Sequence, residues 1–254
     1  MNPFDLSDRV ALITGGNGGI GFGMAEGLAT AGAAVMIAGR DEAKNDSAIR
    51  ALRQAGAKAE AVPVDVADET SCRNMVAATV ATLGRLDILV NNAGISGGKR
   101  PEEFALSDWN AILATNLTGV FLAAQAAYPE MKKRGGGKIV NIGSMFSIFG
   151  GPLVAAYGAS KGGVVQLTKS LATAWAADNI QVNAVLPGWI DTDMTRRARE
   201  RVPDLYENVL RRTPAGRWGT PRDLAGIAVF LASTGSDFIT GTTIAVDGGF
   251  AIQG

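Results

Sequence analysis

Val10-Ala-Leu-Ile-Thr14 runs directly into Gly15-Gly-Asn17-Gly-Gly19-Ile20-Gly21, and an Ala-rich segment of helical spacing follows to Thr30. The first five residues have the short apolar pattern of a strand buried on both faces. The glycines after them form a turn without Cβ atoms, so its N–H groups can approach an anion closely and positive φ costs little. The amino terminus of the helix beyond favours negative charge. Strand, glycine turn and helix in this order predict a phosphate-binding unit, with Gly15, Asn17, Gly19, Ile20 and Gly21 as its contacts. The spacing is T-G-x-x-x-G-x-G, not the commoner G-x-G-x-x-G.

The same alternation continues outward. Strand-like runs at 34–38, 59–64, 86–90, 138–142, 180–186 and 242–246 alternate with helical segments such as 71–83 and 158–177. This predicts an α/β fold: one Rossmann-type domain over residues 1–254, with a doubly wound parallel sheet of about seven strands and helices on both faces. One insertion, at about 189–217, interrupts the rhythm. Its part from 191 to 217 carries seven arginines and two prolines. It reads either as a solvated helical excursion or as a lid over a ligand site.

Bulk properties narrow the chemistry. With 47% hydrophobic and 19% charged residues in a chain of 254, a large core is affordable and disorder is not expected. Lysine plus arginine equal aspartate plus glutamate at 24 each, so no general basic surface for nucleic acid or anionic lipid is expected. There is no histidine. That excludes a Ser-His-Asp triad, a Cys-His dyad and any His-ligated metal, and no metal centre is expected. Cys72 is the single cysteine, which forbids an intrachain disulfide and suits a cytoplasmic location. The amino terminus lacks the pattern of a secretory signal, and no uninterrupted apolar run approaches the ~20 residues of a membrane span.

Acid–base work therefore falls to Tyr, Lys, Asp or Glu. Tyr157-Gly-Ala-Ser-Lys161 places a phenol and an ammonium one helical turn apart. Making a phenolate at pH 7 from a group titrating near ~10 costs ~4 kcal/mol. An ammonium ~4 Å away at an effective dielectric of ~20 offsets about that much, before desolvation is subtracted. Such a tyrosine could give a proton to a nascent alkoxide or take one from an alcohol. The hydroxyl of Ser144, after the fifth strand, could hold the reacting oxygen.

Taken together, T-G-x-x-x-G-x-G at 14–21, Asn91-Asn-Ala93-Gly94, Asn116, Ser144, Tyr157-x-x-x-Lys161 and Pro187-Gly188 span almost the whole chain, and in this order they resemble the short-chain dehydrogenase/reductase family. The resemblance implies hydride transfer between a nicotinamide cofactor and a small alcohol or ketone. It implies Tyr157 as acid/base, Lys161 also on the nicotinamide ribose, Ser144 orienting substrate and Asn116 supporting a proton relay through water. Apart from the resemblance, Asn116 is a polar residue in an Ala/Leu helix, where a helix-bending role is the alternative. The resemblance also assigns Asp65 and Val66 to the adenine, and Asn91, Ala93 and Gly94 to the adenine ribose. Asn91-Asn92 reads equally as a structural turn. Pro187, Gly188, Ile190 and Thr192 fall at the nicotinamide end, Thr192 on the carboxamide. A homotetramer or homodimer is implied as well.

For the cofactor, the second strand ends Gly39-Arg40-Asp41, with glycine where an acid would read a ribose 2′-hydroxyl and arginine beside it for a 2′-phosphate. NADP(H) is favoured and NAD(H) is possible, since Asp41 could still reach the hydroxyl. Pocket candidates are Met145, Phe146, Ile148, Phe149, Gly150, Leu153, Trp189, Met194 and Arg197, mostly apolar, with Arg197 able to meet a carboxylate. Residues 213–219 and 243–249 resemble those of family members acting on sugar acids. The alternatives are a 3-oxoacyl thioester reductase and, remotely, a non-catalytic cofactor-binding protein, against which the intact Asn116, Ser144, Tyr157 and Lys161 argue.

Overall fold

The computed structural model describes residues 2–253. Among these, strands β1 (Val10–Thr14), β2 (Ala34–Ala38), β3 (Ala59–Val62), β4 (Ile88–Asn91), β5 (Gly137–Ile142), β6 (Ile180–Pro187) and β7 (Thr243–Val246) form one seven-stranded sheet, ordered β3-β2-β1-β4-β5-β6-β7. Every pairing is parallel. Helices α1 (Gly19–Thr30), α2 (Glu42–Gln54), α3 (Glu69–Leu83), α4 (Leu106–Leu113), α5 (Gly119–Lys133), α6 (Ala155–Trp175), α7 (Asp193–Arg201), α8 (Leu205–Arg212) and α9 (Ala225–Ala232) join or flank them.

The apolar strands follow from having helices on both faces. In β1, Ala11 and Ile13 face one core with Met24 and Leu28 of α1 and Leu231 of α9. Val10 and Leu12 face the other, with Met75 and Val76 of α3 and Ala123 and Met131 of α5. A period of two therefore divides one uninterrupted run between two cores.

β1 has β2 on one side and β4 on the other, so the strand order reverses between β1 and β4. The loops leaving their carboxyl ends diverge there and open a crevice, the usual ligand position in such sheets. Thr14 and Asn91 are in register at its lip.

Three differences from the sequence expectations have local causes. β3 stops at Val62 rather than at residue 64 because Pro63 has no N–H for the ladder. α1 begins at Gly19, inside the glycine turn. The 28 residues Leu106–Lys133 form one helical run with an 18-residue window of mean hydropathy 1.3, enough by length and composition to cross a membrane, although it is not an uninterrupted apolar stretch. Its Ile112, Val120, Ala123, Ala127 and Met131 are nonetheless buried in the protein, as in a core helix. A π-helical turn at Ala114–Thr118 widens this run beside the crevice.

The insertion folds as α7 and α8, and its two ends are tied together. Ile190 and Gly219 form a parallel bridge, with Asp191 N–H donating to the Gly219 carbonyl and Gly219 N–H to the Trp189 carbonyl, each at 2.9 Å.

Candidate active site

A crevice of about 640 Å³ lies over the carboxyl ends of β1, β4, β5 and β6. Gly15 (φ +63) and Gly19 (φ +51) shape its floor. Asp41 caps α2 and Asp68 caps α3, whereas Gly18 at the start of α1 supplies no side-chain cap, and no acidic residue stands in that first turn. A Cβ on Gly18 would meet nothing within 4 Å. The exposed N–H groups and positive end of α1 are thus left open for an anion, and the cradle fits a pyrophosphate.

Gly21 has a different role from the one expected. A Cβ there would stand 2.4 Å from both the Gly15 carbonyl and Asn92 Nδ2, so this glycine lets the turn pack and does not line the crevice. Asn91 is a second correction. It is buried in the sheet, donates to Asn141 Oδ1 at 2.9 Å and does not line the crevice. Its neighbour Asn92 does the work at the lip, donating to the carbonyls of Thr14 (3.1 Å) and Gly15 (2.9 Å). Asn92, Ala93 and Gly94 face the crevice.

At the β2 end, Gly39, Arg40, Asp41, Asp65 and Val66 line the wall, joined by Lys44, which the sequence reading missed. Its signal was weak: a lysine four positions after Arg40, in the first turn of α2. Asp41 accepts from Lys44 N–H at 3.0 Å, so its carboxylate serves the helix cap.

Ser144, Tyr157 and Lys161 converge where β5 and β6 meet the amino end of α6. Burial pushes the Tyr157 phenol above its usual range, and the neighbouring Ser144 hydroxyl acts in the opposite direction. Burial also pushes the Lys161 ammonium down to about 8. Its Nζ donates to the Ile142 carbonyl at 2.7 Å and sits 5.9 Å from the Tyr157 ring centroid. The ion-pair arithmetic drawn from spacing thus meets an opposing effect: dehydration disfavours both charged forms.

Ser147 was also missed. Its hydroxyl accepts from Ser144 N–H (3.1 Å) and donates to the Lys161 carbonyl (2.8 Å), locking the serine turn onto α6. The only sequence signal was the Ser-x-x-Ser spacing of a capping box. Asn116 is wholly buried in the π turn. Its side chain accepts from Ile95 N–H and donates to the Ile95 carbonyl, both at 2.8 Å, and donates to Ser160 Oγ at 3.1 Å. It therefore clamps the loop after β4, and Thr115 beside it reaches the crevice instead. A Cβ on Gly94 would lie 3.3 Å from Asn116 Oδ1 and 3.6 Å from Lys161 Nζ, so glycine keeps that space open.

Met145, Phe146, Trp189, Met194 and Arg197 line the outer part, as do Pro187, Gly188, Ile190 and Thr192. Leu153, Ile148, Phe149 and Gly150 do not. Val154, the first residue before α6, takes the place expected for Leu153. Phe149 instead packs edge-on against Phe250 at 6.3 Å, and Ile148 is exposed. The arginines of the insertion are mostly engaged. Arg196 and Arg199 pair with Asp191, and Arg217 with Asp223. Arg199 also lies over Trp218 (4.7 Å) and Arg212 over Phe250 (4.3 Å). Arg197 forms no ion pair among the described residues.

A family model described as Enoyl-(Acyl carrier protein) reductase matches residues 15–251. Gluconate 5-dehydrogenase of Gluconobacter oxydans (strain 621H) is 43% identical over 252 residues, covering 98% of this chain and 97% of that protein. 2-Dehydro-3-deoxy-D-gluconate 5-dehydrogenase of Dickeya dadantii (strain 3937) is 43% identical over 251 residues, 98% of each chain. The crystal structure of a gluconate 5-dehydrogenase from Burkholderia cenocepacia J2315, in complex with NADP and tartrate, matches with a TM-score of 0.95 and 43% identity over 100% of this chain and 99% of that one. Likeness of this extent, on a sheet whose switch point carries the glycine cradle, makes the chain a member of the short-chain dehydrogenase/reductase family, an NAD(P)-dependent oxidoreductase acting on CH–OH groups.

Proposed function

We propose that this enzyme interconverts a hydroxyl and a ketone on a sugar acid, with NADP(H) preferred over NAD(H). The observation that carries the reading is one crevice holding a phenol and a serine hydroxyl at its base and, on α7, an arginine without an ion-pair partner. An apolar outer wall from Phe146, Trp189 and Met194 beside Arg197, which has no ion-pair partner among the described residues, suits a compact anionic substrate better than a long neutral chain. Relatives named for gluconate and deoxygluconate chemistry support the same class.

Gly15, Gly18 and Gly19 cradle the pyrophosphate, Asp65 and Val66 border the adenine, and Arg40 with Lys44 meets the 2′-phosphate. Thr192 Oγ1 accepts from Thr195 N–H at 3.4 Å and lies 3.3 Å from Thr195 Oγ1, and in the complex its hydroxyl turns to the carboxamide. When bound, the nicotinamide supplies or accepts the hydride. Tyr157, favoured in its protonated form by burial, gives its proton to the alkoxide oxygen in reduction; in oxidation the phenol first loses that proton to solvent and its phenolate then takes the proton of the alcohol. Ser144 donates to that same oxygen, and Ser147 holds Ser144 in place. Lys161 lies behind the tyrosine, with its Nζ near Gly94, where it can hold a ribose hydroxyl. Asn116 positions the loop over which the ribose lies.

The insertion acts as a lid. α7 lines the crevice, Arg199 stacks α7 against Trp218 and Tyr206, and the bridged base at Ile190 and Gly219 forms a hinge. Exposed Leu106, Phe121 and Phe238 suit burial between subunits of a homotetramer or homodimer, and the single buried cysteine suits the cytoplasm. The test is a panel of sugar acids, polyols, β-keto esters and acyl thioesters assayed with both cofactors. The reading requires the highest kcat/KM on a sugar acid with NADP(H). A higher value on thioesters would replace it with the acyl-reductase alternative.

A further inference from the structure

The end of β2 is filled in a way the sequence did not suggest. Gly39 is buried, and a Cβ built on it would stand 2.5 Å from Asn17 Nδ2 and 2.8 Å from Asn45 Oδ1. These atoms are side-chain tips, which can normally swing aside. Here they are held. Asn45 is 3% exposed, its Nδ2 donates to the Gly39 carbonyl at 2.9 Å, and its Oδ1 accepts from Asn17 Nδ2 at 2.7 Å. Its own N–H is fixed in the first turn of α2 through the Asp41 carbonyl. Asn17 belongs to the glycine turn and lines the crevice. The two amides form a strut from the turn after β1 to the end of β2, through the volume that an acidic side chain at position 39 would occupy. An oxygen of Asn45 faces that volume, which repels a carboxylate further.

We infer that Asn45, acting through Asn17, is a specificity-determining positioning residue: it occupies the acid position at the end of β2 and ties cofactor choice to the shape of the phosphate turn. The inference rests on the reading of the crevice as a dinucleotide site with its adenosine end at β2. Under it, the missing acid at position 39 is not a free choice. An aspartate there displaces Asn45 and Asn17, leaves the carbonyl of residue 39 with only the longer bond from Val64 N–H and disturbs the turn under the pyrophosphate. Both dinucleotides then bind worse, and NAD(H) is not gained until position 45 is reduced.

The experiment is a double-mutant cycle on binding alone. Kd values for NADP+ and NAD+ are measured by calorimetry on the full chain, on Gly39→Asp, on Asn45→Ala and on the double variant, with thermal unfolding as a check of folding. Gly39→Asp should weaken both nucleotides about tenfold, and adding Asn45→Ala should recover NAD+ affinity about tenfold while NADP+ stays weak, a coupling typical of side chains in contact. The inference is overturned if Gly39→Asp alone binds NAD+ as tightly as the double variant, or if the effects simply add. If Gly39→Asp does not fold, Gly39→Ala with and without Asn45→Ala carries the same test, since it adds only the Cβ that meets the strut. Failure of the unaltered chain to bind either dinucleotide overturns the site reading itself, and with it the inference.

Discussion

Lys161 Nζ stands 5.9 Å from the centroid of the Tyr157 ring and gives its hydrogen bond to the Ile142 carbonyl, 2.7 Å away. Burial pushes the ammonium down to about 8 and the phenol upward, so at neutral pH the lysine is still mostly charged and the phenol stays protonated. This arrangement has consequences for catalysis and for stability.

Tyr157→Phe keeps the ring and its edge contact with Phe146 at 6.2 Å but removes the transferable proton. Turnover should fall by about 10²–10⁴-fold, the usual contribution of a positioned acid or base. The nucleotide Kd should stay within about twofold of the parent, on the same view that the phenol serves proton transfer. Steady-state kinetics with a parallel binding titration decides this, and near-normal kcat would remove Tyr157 from the acid/base role.

An ammonium held near 8 instead of 10.5 costs ~3 kcal/mol at neutral pH, at ~1.4 kcal/mol per pH unit. Because the folded value is lowered, the unfolded chain binds the proton more strongly between these two values. This contribution therefore penalises the fold fully below pH 8 and is relieved as pH rises from 8 toward 10.5. Lys161→Met should be less stabilised than the parent on going from pH 7 to pH 9.5. An equal change in unfolding free energy between the two pH values for parent and variant, read from denaturant titrations, would refute the buried-ammonium account.

Arg40→Ala and Lys44→Ala should each weaken NADP(H) by about 1.5–3 kcal/mol, the range for hydrogen bonds to a charged group. NAD(H) should be little affected by either. The measurement is the NADP/NAD ratio of kcat/KM. An unchanged ratio in both variants would mean that neither side chain meets the 2′-phosphate.

Arg197→Ala should raise KM for acidic substrates by about tenfold, as for loss of one charge-assisted hydrogen bond, and leave neutral ketones unchanged. Equal effects on both classes would place the guanidinium outside the substrate site.

Ser147→Ala cuts the links to Ser144 N–H and the Lys161 carbonyl. Loss of this cap should lower stability by about 1 kcal/mol. Its more telling effect is a lower kcat at unchanged nucleotide KM, with partial rescue by Ser147→Thr. A loss of stability without any change in kcat would reduce Ser147 to a structural cap.

The sheet, its parallel sense, the cradle and the Tyr157–Lys161 spacing were legible in the chain because each rests on local periodicity: apolar runs of five, glycines at fixed offsets, four residues in one helical turn. Short-range patterns also misled where one neighbour changed the outcome, as Pro63 did for β3. What remained hidden depends on contacts between residues far apart in the chain. Asn91 and Asn92 look alike in sequence, yet the pleat sends one into the sheet toward Asn141 and the other across to Gly15. Asn17 and Asn45 meet across two βα units, and nothing local marks either as a filler of the acid position. The directions in which burial moves Tyr157 and Lys161 likewise depend on how much water the folded crevice admits, which is a property of packing and not of spacing.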